Sequence, residues 1–141
     1  MHGLTISDLA RDGTLAVGLE DILTTLGPDA ERAWWKTTGL ECLGPSAEKL
    51  YSLTDEGAFI LGRSLVSLSR GLTQVIDGEF DAYRDGSKEP WVMVRAVDGT
   101  EFDVETDDEE VLCRIRERFR RVSDFPDELS SGRRPLPSLD R

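Results

Sequence analysis

The sequence predicts an α+β fold: a three- or four-stranded antiparallel sheet with helices packed mainly on one face. Three observations carry this expectation. Apolar and acidic residues alternate from Val75 to Tyr83, and again on both sides of Asp98-Gly99, a hairpin signal. Leu61, Leu65, Leu68 and Leu72 recur at helical spacing. Finally, four acids (Asp107 to Glu110) and three arginines (Arg118, Arg120, Arg121) bracket an apolar stripe, as the helix dipole favours.

Taken in order, residues 14–26 place Leu15, Leu19, Ile22, Leu23 and Leu26 on one helical face before Gly27-Pro28 stops it. Ala33 to Leu43 mixes aromatic, Thr and apolar residues and reads as a strand. Trp34 and Trp35 are adjacent there, so they point to opposite faces. Gly44-Pro45-Ser46 is turn chemistry, followed by a short helix through Leu53. Phe59-Ile60 reads equally as a first helical turn or a short strand, and the leucine helix behind it ends near Gln74.

In the next strand Ile76, Phe80 and Ala82 point one way, with Asp77, Glu79, Asp81 and Tyr83 the other. Trp91 to Val97 has central-strand composition, and Phe102 and Val104 alternate with Glu101, Asp103 and Glu105. A two-residue Asp98-Gly99 loop would set the acids against Val92, Val94 and Ala96. A three-residue loop with Gly99 left-handed unites Phe102 and Val104 with Val94 and Val92, and sets Arg95 opposite Glu101. A one-residue slip flips every side chain, so the second register is expected, leaving Trp91 on the carboxylate face. Thr106 and Glu109 form a capping box, and Val111, Leu112, Ile115, Phe119 and Val122 the buried stripe of the last helix. Residues 1–126 are expected to form one domain and 127–141 a disordered C-terminal tail.

The charge is uneven. The chain has 141 residues and a formal net charge of −11. Residues 75–110 hold thirteen acids against Arg84, Lys88 and Arg95, while residues 111–121 hold five arginines against Glu117. The arginines spread around a helix in an acidic chain, which argues against nucleic acid as partner. No apolar run reaches the length of a membrane span, no signal peptide is present, and two cysteines make no disulfide framework, so a cytoplasmic location is expected. Fourteen arginines against three lysines and no asparagine is the codon signature of a GC-rich genome, pointing to a bacterial source.

Familiar catalytic patterns are missing. His2 is the single histidine, so a Ser-His or Cys-His nucleophile lacks a base and a metal lacks imidazole ligands. Cys42 and Cys113 form no CxxC pair, and neither phosphate-binding glycine motif occurs. Asp77, Glu79 and Asp81 open like a calcium loop, but Ala82 stands where Gly is required and Lys88 where Glu is required. No metal and no cofactor is expected.

What stands out is an acidic, aromatic-bearing sheet face: Asp77, Glu79, Asp81 and Tyr83, then Trp91 and Arg95, then Glu101, Asp103 and Glu105. Like charges on adjacent strands repel, and a cationic partner relieves that repulsion. The expected function is therefore non-enzymatic binding of a basic protein, in its sharpest form an immunity-type inhibitor of a basic toxin. Two alternatives stand beside it: a carboxylate-dependent enzyme, with or without a metal, and a subunit of a larger assembly. Oligomeric state is not legible.

Overall fold

The computed structural model describes residues 1–125. The proposed tail, 127–141, lies outside the described residues. Instead of three or four strands, the described residues build one seven-stranded antiparallel sheet with five α-helices. In chain order these are β1 (His2–Ile6), α1 (Leu19–Leu26), α2 (Pro28–Arg32), β2 (Trp34–Leu43), α3 (Ala47–Thr54), β3 (Phe59–Leu61), α4 (Gly62–Ser69), β4 (Gln74–Tyr83), β5 (Val92–Val97), β6 (Glu101–Thr106), α5 (Glu109–Arg118) and β7 (Val122–Phe125). The spatial order is β3-β2-β4-β5-β6-β1-β7.

The strands missed by the three- or four-stranded expectation are the short ones. β1 and β3 have five and three residues and β7 has four, too few to display a period of two. Each is recruited by pairing: β1 lies along β6, β7 along β1, and β3 along the start of β2. The helices are also shorter than their patterns suggested. Asp12 turns the chain through Thr14, and Asp21 Oδ2 accepts the Gly18 N–H at 2.8 Å, so α1 starts at Leu19. α4 ends at Ser69 because Gly71 leaves the helix and its carbonyl accepts the Ser46 N–H at 2.9 Å. Val122 belongs to β7 rather than to the helix stripe: the Asp8 carboxylate accepts the N–H groups of Arg120 and Arg121 and draws the chain into an extended strand.

Val94 faces Val104 and Ala96 faces Phe102, so the apolar sets of β5 and β6 do share a face. That pairing places Arg95 opposite Asp103, not Glu101, which faces Val97. Once Ala96 opposes Phe102, antiparallel counting leaves no other partner for Arg95. Asp98 and Gly99 both take positive φ, and the Thr100 N–H bonds the Val97 carbonyl at 2.9 Å.

β2 and β4 bend together. Along β4 the core residues are Phe80 and Ala82, but before Gly78 the core position passes to Val75, and Ile76 is only half-buried. Along β2 the core passes from Trp35 and Thr37 to Cys42 across Gly39. The register shifts between Thr38 and Cys42 are this change of phase. At the outer edge of β2, the Tyr51 hydroxyl accepts the Cys42 N–H at 2.8 Å, which occupies backbone that would otherwise be open to another strand.

Val75, Phe80 and Ala82 of β4 and the even-numbered residues of β5 and β6, with Leu4, Ile6, Trp35 and Thr37, form one buried layer. Ile22, Leu23, Leu26, Leu50, Leu65, Leu112 and Ile115 from the helices pack into the same cluster. Among the described residues, the opposite face carries no α-helix. The Thr37 hydroxyl oxygen is buried in the core layer with no hydrogen-bond partner among the described residues. Thr37→Val keeps the β-branch and removes the orphan group, and is expected to stabilise the domain by about 1 kcal/mol. The urea midpoint should rise at constant slope, and an unchanged or lower midpoint would refute it.

Candidate functional site

The helix-free face is organised in rows by the strand register. One row runs Phe59–Lys36–Asp81–Met93–Glu105–Gly3, and the next runs Thr38–Glu79–Arg95–Asp103–Thr5. Glu79, Asp81, Arg95, Asp103 and Glu105 are therefore brought together, with Glu101 beside Val97 at one end and Tyr83 beside Trp34 at the other.

Arg95 is the hub. Its Nη2 lies 3.2 Å from Glu79 Oε1 and its Nη1 lies 3.8 Å from Asp103 Oδ2. Asp103 is not on an outer strand: β1 flanks β6, leaves Asp103 only 4% exposed, and supplies the Thr5 hydroxyl, which donates to Asp103 Oδ1 at 2.6 Å. Burial raises the Asp103 pKa, opposed by the Thr5 hydrogen bond and the Arg95 charge. Glu101 is raised by burial and then by Asp103.

Asp81 is the most perturbed group, pushed up to about 7. Burial is the main cause, Glu79 adds a hydrogen bond to the protonated form and like-charge repulsion, and Arg95 and Lys36 act in the opposite direction. The geometry agrees: Asp81 Oδ1 is cut off from solvent and meets no donor among the described residues. Near neutral pH Asp81 thus still holds its proton in part of the molecules. Tyr83 is raised by burial and by the charges of Asp81 and Glu79.

Two expected members stand apart. Asp77 folds back onto the hairpin, where its Oδ1 accepts the Asp98 N–H at 3.0 Å. Trp91, 9% exposed, precedes β5, and its indole N–H donates to Asp108 Oδ2 at 3.0 Å. Asp108, not Thr106, caps α5: its Oδ1 accepts the N–H groups of Glu110 and Val111. Thr106 is buried and donates to the Trp91 carbonyl at 2.6 Å. Asp108 is lowered first by the Trp91 hydrogen bond, against burial, and further by the Val111 and Glu110 N–H groups and by Arg84. Trp91 therefore fastens helix to sheet and offers no anchor to a partner.

The exposed aromatics lie elsewhere. Trp34 is 43% exposed while its neighbour Trp35 is fully buried, and Phe59 is 52% exposed. Phe59 meets Tyr83 edge to face with ring centres 5.6 Å apart. Trp34, Phe59, Lys36 and Thr5 were missed as members of the face. Trp34 carried a signal in its alternation with Trp35, whereas Thr5 and Phe59 belong to strands too short to announce themselves.

Among the described residues no group of three His, Cys, Asp or Glu side chains is placed to hold a metal ion. Nor is any described helix long and apolar enough to cross a membrane. The fold and face define an α+β domain with one broad antiparallel sheet, layered by helices on one side and open on the other. No family model, curated protein or solved structure matches the chain.

Proposed function

We propose that the chain is a non-enzymatic binding protein whose open sheet face receives a basic protein, with sequestration of a basic toxin as the sharpest form of that role. The observation that carries the reading is the juxtaposition on a helix-free face of Glu79, Asp81, Glu101, Asp103 and Glu105 with exposed Trp34 and Phe59. Among the described residues those five carboxyls meet only Lys36 and Arg95 there, so a partner's cations relieve repulsion and are steered in. Trp34 and Phe59 supply large apolar area at the rim of the charge, the residue types that anchor interfaces.

The expected result is retention of small basic proteins by the immobilised chain at low salt, lost as salt rises. Glu79→Gln with Glu105→Gln should weaken retention, and Trp34→Ala should lower affinity about tenfold. Retention of nothing basic, indifference to salt, or wild-type binding by both variants counts against the proposal.

A carboxylate-dependent enzyme has one observation in its favour, the displaced Asp81 beside Glu79. Acid–base chemistry also needs a cavity around such a pair. Neither residue lines the cleft of about 520 Å³ between the N-terminal loop and the start of β4, nor the arginine cleft at α2. Binding therefore remains the better-supported reading.

A further inference from the structure

We propose that the cleft between α2 and the β3–α4 junction binds a small organic oxyanion, a phosphate or a carboxylate. Arg32, Arg63 and Arg84 line this cleft of about 470 Å³. Its acids are Asp29 and Asp85. Asp29 is already divided between two arginines, with one oxygen paired to Arg32 and the other 3.6 Å from Arg84 Nη2. Arg63 is in no ion pair among the described residues. Three guanidinium groups thus line the cleft, and one of them, Arg63, has no carboxylate partner among the described residues.

The guanidinium of Arg84 is held in advance. It lies 4.6 Å from the centre of the Trp91 ring, and its Nη2 is 3.5 Å from Asp108 Oδ2. A group ordered before binding loses less entropy when it engages a ligand. Guanidinium donors match two oxygens of a phosphate or carboxylate at once, and Arg63, with no carboxylate partner, has donors to spare. The cleft falls within the usual range of small-molecule sites and exceeds what inorganic phosphate fills. Ala33 and Leu61 give it an apolar wall for the organic part of a ligand. This site is independent of the protein-binding face and does not rest on that reading.

The test is an NMR titration of the full chain, labelled with nitrogen-15, against inorganic phosphate, phenyl phosphate and citrate. The expected result is saturable shifts at the amides of Ala33, Leu61 and Arg84, with an organic anion binding more tightly than inorganic phosphate. Arg63→Gln should weaken binding about tenfold, the loss of one charge-assisted hydrogen-bonding group. Arg120→Gln makes the same change of charge on an exposed residue away from the cleft and should leave affinity unchanged. Tighter binding of phenyl phosphate assigns the phosphate class, and of citrate the carboxylate class. Absence of saturable shifts at these amides with all three probes overturns the proposal. So does equal weakening by Arg63→Gln and Arg120→Gln, which would mean diffuse attraction to net positive charge.

Discussion

Gly62→Ala is expected to cost about 3 kcal/mol or more and to lower the thermal midpoint by about 10 °C or more. A β-carbon at Gly62 would stand 1.8 Å from the Ala30 carbonyl oxygen, 2.8 Å from its carbon and 2.9 Å from the Glu31 carbonyl carbon. All three are backbone atoms of α2, so no side chain can swing aside. The Gly62 N–H also donates to the Ala33 carbonyl at 2.8 Å, tying the start of α4 to the strand that carries Trp34 and Trp35. Relief of the clash must separate α2 from α4, opening the layer around Ala30, Leu65 and Trp35, whose indole N–H is bonded to the Ala30 carbonyl at 2.9 Å. Gly18→Ala is the control: Gly18 has φ −106, and an added β-carbon meets only Asp21 Oδ2 at 3.7 Å. Its effect should stay within about 0.5 kcal/mol. Comparable midpoints for the two variants in a thermal melt would show that the close approach of α2 and α4 is not held as described.

That approach also shows where sequence reasoning ran out. Leu61 to Leu72 marks a helix, yet nothing in the string GRS reveals that Gly62 must pass against another backbone. α2 itself was read only as a stop, because Gly27-Pro28 ends one helix and, with proline at the first position, begins another. Long alternating segments were legible: β4, β5 and β6 are where the pattern puts them, and the hairpin gathers Val94 with Val104. Short strands were not, because β1, β3 and β7 are made by their neighbours rather than by their own periodicity. The candidate face inherits the same division. Glu79, Asp81, Arg95, Glu101 and Glu105 follow from alternation, whereas the burial of Asp103 depends on β1 and the withdrawal of Trp91 on the cap of α5. The phase change at Gly39 and Gly78 explains why Val75, rather than Ile76, joins the core. Both glycines take positive φ where the ladder shifts register, which lets each strand bend there.

Asp81→Asn is expected to raise stability more at pH 8 than at pH 5. The sign follows from linkage. The folded domain holds the Asp81 proton with a pKa of about 7, against 3.8 for the free side chain. The group's stabilising contribution is therefore complete below about pH 4 and is lost as pH rises through about 7. At pH 8 the wild-type chain must keep a charged Asp81 whose Oδ1 meets neither water nor a donor, beside Glu79. Asparagine removes that charge and can donate to Glu79 at every pH. The gain at pH 8 should be about 1–2 kcal/mol, below the full linkage value because Asp81 is only partly buried and solvent screens its charge. Glu101 and Asp103, also raised, should leave the variant a shallower slope of the same sign. Urea midpoints at pH 5 and pH 8 decide the matter, and parallel profiles for the two proteins would refute it. The same proton bears on binding. If a partner's cation comes to rest beside Glu79 and Asp81, it displaces the Asp81 proton, so wild-type affinity should climb as pH passes through neutrality. In Asp81→Asn, with no proton to release, that climb should disappear.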